Sequence, residues 1–150
     1  MKAIAYSIKP FEKEFLAIAN HKKHEITLIA NPLGLETASF ADGKNVVIVF
    51  SDDDVSAPVI EKLASLGVKY IVTRSLKTDH IDKPAAARFG IKLANIPIHP
   101  EIQTALTDET LQQIADQTIR SLDLWQLNKC VGKACACAGG CKTAVLEAVK

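Results

Sequence analysis

Long apolar runs, aromatic rings and an excess of either charge are all scarce in this 150-residue sequence, and cysteine is absent from its first 129 residues. No apolar run approaches the roughly 20 residues that span a bilayer, so no membrane partner is expected. Lys and Arg number 18 against 17 Asp and Glu, a net charge of +1. That balance offers nucleic acid no electrostatic hold. The opening residues Met1-Lys2-Ala3-Ile4-Ala5-Tyr6 read as a strand and lack the apolar core and cleavage site of a secretory leader, so a cytoplasmic location is expected. Thiols there stay reduced unless they bind metal or do redox chemistry. No Gly-x-Gly-x-x-Gly occurs, which excludes the common dinucleotide-cradling turn.

What is present is strand–helix alternation in a chain of single-domain length. Strands are predicted at Ala3–Ile8, Glu25–Ala30, Asn45–Phe50, Val68–Thr73 and Ile91–Ile96. Val46-Val47-Ile48-Val49-Phe50 is continuously apolar and mostly β-branched, as a strand covered on both faces must be. A helix over Phe11–His21 is expected to bury Phe11, Phe15, Leu16 and Ile18. A second is capped by Ser56, with Pro58 in its first turn and the stripe Val59, Ile60, Leu63, Leu66 ending at Gly67. A third starts at Asp82 with Pro84 in the first turn and Gly90 past its end; Ala38–Ala41 reads as a short helical turn. The longest helix is capped by Thr107, with Asp108 and Glu109 opposing its dipole. It repeats Leu111, Ile114, Ala115, Thr118, Leu122 and Trp125 at helical spacing.

Such alternation implies right-handed crossovers and a doubly wound α/β fold: a flavodoxin-like five-stranded parallel sheet of order 2-1-3-4-5, with a long C-terminal helix and a Cys-rich tail. Its ligand crevice lies at the carboxyl ends of the strands, here Ser7-Ile8-Lys9, Ser51-Asp52-Asp53-Asp54 and Thr73-Arg74-Ser75. Lys9, Asp52, Arg74, Ser75, Lys77 and His99 are the candidate crevice residues, and a small carboxylate is the candidate ligand. The bland alternatives are a salt bridge from Arg74 to Asp52, Asp53 or Asp79, a solvated capping loop at 52–54, and a structural His99. His21, His24 and His80 are expected on the surface, and Trp125 in the core.

Three stretches resemble the D-lactate dehydrogenase branch of the D-2-hydroxyacid dehydrogenases: Lys2–Ser7; Val55-Ser56-Ala57 through Thr73-Arg74-Ser75 and Asp79-His80-Ile81-Asp82 to Asn95-Ile96-Pro97; and Leu106–Asp123. The resemblance implies a substrate domain over residues 1–127, built from a sheet domain 1–97 and a returning helix 106–127, followed by a tail 128–150. In that family a whole NAD-binding domain separates the Asn-X-Pro exit from the last helix. Here about ten residues do, too few for one βαβ unit of about 30. The family's catalytic Arg and Glu therefore have no counterpart. Its catalytic His has only His99 nearby, at the place where the lactate branch carries a substrate-contacting Tyr. Leu76-Lys77 stands where the family has Ala-Gly or Val-Gly offering N–H groups to the substrate. NAD is not expected to bind this chain alone.

The tail holds Cys130, Cys135, Cys137 and Cys141 in a Cys-x4-Cys-x-Cys-x3-Cys pattern. Thiolates are the usual ligands of zinc and of iron–sulfur clusters. In extended backbone Cys135 and Cys137 face the same way and can converge on one centre. An iron–sulfur or zinc centre is expected, with redox-active, disulfide-forming or inert thiols as alternatives, because the spacing matches no common pattern. The leading functional expectation is a non-catalytic binding or redox module. The alternatives are a dehydrogenase subunit that takes its nucleotide-binding lobe from another chain, and a protein-interaction domain, such as a homodimer, that exposes the old cleft face.

Overall fold

The computed structural model describes residues 1–97 and 107–137. Five strands, β1 (Lys2–Ala5), β2 (Glu25–Leu28), β3 (Val46–Val49), β4 (Tyr70–Thr73) and β5 (Lys92–Ala94), form one parallel sheet of order β2-β1-β3-β4-β5. Helices α1 (Pro10–Asn20), α2 (Ala57–Ser65), α3 (Lys83–Arg88) and α4 (Asp108–Gln126) flank it, with 3-10 turns at Thr37–Ala41 and Gly132–Ala134. The predicted α/β architecture and strand order are those observed. The strands are shorter than their apolar runs suggest: β1 and β2 stop before the crevice loops, and β4 starts at Tyr70 rather than Val68.

Side-chain alternation along the strands builds two cores. Ile4, Val47, Val49, Ile71 and Leu93 point to α2 and α3, whereas Ala3, Ala5, Val46, Ile48, Val72 and Ala94 point to α1 and α4. β3 is wholly buried along its length, which is why it needs apolar residues at every position. On the α4 side the strands present alanines, and the space is filled by Leu16, Leu122 and Trp125. Trp125 is buried and stacks on Tyr70, ring centroids 4.7 Å apart.

The caps divide. Asp82 accepts from Ala85 N at 3.0 Å and Thr107 Oγ1 from Thr110 N at 3.2 Å, as anticipated. Ser56 makes no side-chain cap; its own N–H donates instead to Asp54. Gly67 and Gly90 close α2 and α3 at φ +97° and +70°, values that β-carbon sterics make costly for other residues.

Two expectations fail on orientation. α1 buries only Leu16 fully; Phe11 and Ile18 are each about half exposed, because the helix presents its Glu12–Phe15–Leu16–Ala19 side inward. His24 and His80 are not surface residues: His24 is buried and His80 partly so. His24 Nε2–H donates to Asp123 at 2.7 Å, and Lys23 Nζ reaches the other carboxylate oxygen at 2.8 Å, tying the α1–β2 turn to α4.

Burial alone would raise the Asp123 carboxyl, but hydrogen bonds from Lys23 and His24 and their charges outweigh it and hold the group below its ordinary value. A depressed carboxyl stabilises the fold above the unfolded-state pKa, and that contribution is lost as pH falls through the folded value. Asp123→Ala leaves the buried His24 N–H without an acceptor. A loss of about 1–3 kcal/mol in urea denaturation at neutral pH is expected, and the gap between wild type and variant should close below about pH 4.

Candidate functional site

The crevice forms where β1, β3 and β4 end, at the point where strand order reverses. Its framework is a buried carboxylate. Asp53 is 2% exposed, and Oδ1 accepts from Ser7 Oγ at 2.5 Å and Leu33 N at 2.9 Å while Oδ2 accepts from Phe50 N at 2.8 Å. One side chain thus fastens the loops that follow β1, β2 and β3. Ser7 sits at φ +56°, a strained conformation for a residue with a β-carbon, and its bond to Asp53 helps hold it there. Tyr6, just before it, donates to Thr37 O at 2.7 Å. Burial, then the nearby Asp53 charge, pushes its phenol up to about 12. The acidic run is therefore a loop-closing device. Asp52 is exposed, Asp53 is consumed by structure, and Asp54 binds Ser56 N.

Arg74 is the largest fully buried side chain. Its Nε donates to Glu12 Oε2 at 2.8 Å and Nη2 to Oε1 at 3.4 Å; Nη1 and Nη2 donate to the carbonyls of Tyr6 and Ser7, both at 3.1 Å. Phe50 lies 5.4 Å from the guanidinium carbon. The salt-bridge alternative is what forms, but its partner is Glu12, not Asp52, Asp53 or Asp79. Glu12 also accepts from Lys9 N at 3.1 Å, so it caps α1 and neutralises Arg74 together. Four of its five N–H groups are thus taken by Glu12 and the Tyr6 and Ser7 carbonyls. It serves as a strut between β4 and the end of β1.

Above this strut lies an apolar cavity of about 170 Å³ between α1 and α4. Phe11, Phe15, Phe50, Leu111 and Ile114 form most of its wall; Lys9, Glu12 and Arg74 supply the polar side. Lys9 is exposed and makes no side-chain ion pair among the described residues, so it is the cation available to a bound anion. The apolar walls come from α1 and α4, which belong to opposite ends of the sequence, and no spacing rule pairs them. Half-exposed Phe11 becomes intelligible as the cavity rim.

The loop after β4 is held differently. Ser75 is buried, shares a hydrogen bond with Thr73 at 2.7 Å and donates to Lys77 O at 3.0 Å; Asn95 Nδ2 donates to Leu76 O at 2.8 Å. Ser75 therefore braces the loop, and the Lys77 side chain is exposed on its outside. His80, in the same loop, has a buried Nε2 with no hydrogen-bond partner among the described residues. Burial lowers its pKa against the opposing pull of Asp53, Asp79 and Asp52, so its neutral form is favoured. His99 and Cys141 lie outside the described residues.

The remaining cysteines depart from the expected geometry. Residues 134–137 run antiparallel beside β5: Asn95 N donates to Ala134 O, Ala136 N to Leu93 O, and Cys135 bridges Ala94. Cys135 packs with the α1/α4 core. Cys137 packs with the α2/α3 core, its Sγ 3.3 Å from Leu93 N. The pairing is a single bridge, so the alternation that would turn Cys135 and Cys137 to one side does not extend between them. Among the described residues no three Cys, His, Asp or Glu side chains gather as a metal-ligand group, and Cys130, Cys135 and Cys137 do not form the iron–sulfur or zinc donor set. A dinucleotide fits no better. The β1–α1 turn holds no glycine, its N–H groups at Ser7, Ile8 and Lys9 are taken by Asn31 O, Ile29 O and Glu12 Oε1, and α1 opens on Pro10.

Comparison with known proteins agrees with this architecture. The family model "D-isomer specific 2-hydroxyacid dehydrogenase, catalytic domain" matches residues 3–134. The chain is 34% identical over 127 residues to D-lactate dehydrogenase kk1H of Curvularia clavata, covering 81% of this chain and 36% of that protein. It is 32% identical over 100 residues to the aromatic 2-oxoacid reductase of Clostridium sporogenes, covering 66% and 30%. The apo-structure of Escherichia coli D-lactate dehydrogenase superposes with a TM-score of 0.66 at 28% identity, covering 86% of this chain and 38% of that one. The chain thus spans about a third of the length of these relatives. No helix among the described residues is long and apolar enough to cross a membrane.

Proposed function

This chain belongs to the D-isomer-specific 2-hydroxyacid dehydrogenase family, by that family's catalytic domain, and from that premise we propose that it is a binding module for small carboxylic acids that does not transfer hydride. One observation carries the reading. Ten residues, 98–107, join Pro97 to α4, and α4 is docked on the same sheet through Trp125–Tyr70, Asp123–His24 and Gln112 Nε2 to Phe15 O at 3.4 Å. A dinucleotide-binding lobe has no room between them, since one βαβ unit alone needs about 30 residues. Hydride transfer requires a nicotinamide held against the substrate, and the β1–α1 turn does not fit one.

The cavity beside Arg74 suits an acid with an apolar tail. A cavity of roughly 150 Å³ with apolar walls accepts a benzene ring. Phe11, Phe15 and Phe50 would face the tail, and Lys9 the carboxylate. The name of the Clostridium relative, an aromatic 2-oxoacid reductase, is consistent with that class.

Isothermal titration with phenylpyruvate and with pyruvate tests the reading. Saturable millimolar binding of phenylpyruvate, weaker binding of pyruvate, and a several-fold loss in Lys9→Gln are expected. No heat from either acid at millimolar concentration overturns it.

A further inference from the structure

Of the ten residues that line the cavity between α1 and α4, only Lys9, Glu12 and Arg74 have polar side chains. A carboxylate only accepts hydrogen bonds, so Glu12 offers a ligand no donor. Arg74, at 1% exposure, gives Nε and one N–H of Nη2 to Glu12, the other Nη2 N–H to Ser7 O, and one Nη1 N–H to Tyr6 O. The second N–H of Nη1 meets no acceptor among the described residues. Lys9 makes no side-chain ion pair among those residues and is exposed. The lining side chains thus hold two uncommitted donor groups, one ammonium and one buried N–H, and a carboxylate has two oxygens. Lys9 and Arg74 set against Glu12 leave a net charge of one, which a single carboxylate neutralises.

A ligand that carries more polar groups than one carboxylate finds no side chain to receive them. The oxygen of a 2-oxo group is a further acceptor, and the side chains left to face it are aromatic or aliphatic, or Glu12, itself an acceptor. Burying an acceptor without a donor opposes binding. A methylene in its place has no such cost and adds apolar area to be covered. The same holds for a hydroxyl on the ring, beside Leu111, Ile114 and Ala115. A second carboxylate would stand against Glu12 with no cation left to balance it.

Resting on the carboxylic-acid reading of this cavity, we propose that its ligands are arylalkanoic monocarboxylates with one ring and no 2-oxo group, in preference to the 2-oxo acids. One carboxylate oxygen is held by Lys9 and the other by the remaining Nη1 N–H of Arg74, and the ring lies among Phe15, Phe50, Leu111 and Ile114. The cavity volume of about 170 Å³ is close to the roughly 150 Å³ that accepts one benzene ring.

The test is isothermal titration of the full chain with 3-phenylpropanoate and with phenylpyruvate, which differ only by a methylene against a carbonyl. 3-Phenylpropanoate is expected to bind more tightly by about fivefold or more, the factor set by the low end of the cost of an unmet buried acceptor. Benzylmalonate and 3-(4-hydroxyphenyl)propanoate, each with one added polar group, should bind more weakly than 3-phenylpropanoate. Leu111→Trp, which adds bulk to a half-buried part of the wall, should weaken 3-phenylpropanoate at least fivefold. A negative heat-capacity change of binding in the wild type, the mark of apolar burial, checks the same point without a variant. Phenylpyruvate binding as tightly as 3-phenylpropanoate, or more tightly, overturns this inference and leaves the carboxylic-acid reading standing. So does undiminished affinity for benzylmalonate or the hydroxyphenyl acid. No heat from any of the four acids overturns both.

Discussion

Glu12→Ala should destabilise the protein by about 3–5 kcal/mol, the range for stripping one partner from a buried ion pair. Arg74 is 1% exposed and cannot move its charge to water without opening the crevice. Glu12 is 15% exposed, so some solvent screens the pair and the lower half of that range is the better expectation. The variant also removes the acceptor for Lys9 N at the start of α1. Glu12→Gln keeps the shape and one acceptor oxygen, and should fall between wild type and Ala. Glu12→Ala combined with Arg74→Met removes the stranded charge, so the double variant should be more stable than Glu12→Ala alone. Full recovery is not expected, because the Tyr6 and Ser7 carbonyls lose their donors. Urea denaturation of these four proteins and of Arg74→Met alone checks the order and closes the cycle. Additive losses in the double variant would mean that the pair does not act as a unit.

Asp53→Ala should be comparably severe for a different reason. No charge is stranded; instead the N–H groups of Leu33 and Phe50 and the Ser7 hydroxyl lose their acceptor in a closed site. Each buried unmet donor costs about 1–3 kcal/mol, giving a total near 4 kcal/mol if Ser7 finds water. For a chain of this size, a loss of that order lowers the melting temperature by roughly 10 °C. Asp53→Asn should not rescue it. The amide keeps one acceptor oxygen but presents an NH2 to a site populated by donors, so one of the two backbone N–H groups stays unmet. Differential scanning calorimetry of the two variants decides. A near-wild-type Asn variant would show that the site is wetter than the 2% exposure of Asp53 implies.

Both residues show where sequence reading stops. The sheet was legible because its causes are local: Val46–Val49 is apolar without alternation, Asp82 and Thr107 precede their helices as caps, and Gly67 and Gly90 stand where α2 and α3 must end. Strand order followed from alternation and handedness. A cavity does lie at the strand ends, beside Lys9, Phe50 and Arg74, but the pairings that shape it are not local. Arg74 and Glu12 lie 62 residues apart, and nothing local distinguishes Glu12 from any capping glutamate. The same holds for His24 and Asp123, 99 apart. Asp53 stood in the sequence as one of three neighbouring acids, and only the fold reveals which of them turns inward. Strand alternation would place Cys135 and Cys137 on one side. That rule needs a continuing ladder, and here the pairing with β5 is a single bridge.

Ten residues return the chain from Pro97 to α4, with no nucleotide-binding lobe between them. NADH oxidation by the purified protein, with pyruvate or phenylpyruvate as acceptor, measures this most directly. The predicted result is no turnover above buffer at any enzyme concentration, even where titration shows the acid bound. Turnover that scales with this protein alone and survives repurification would contradict it.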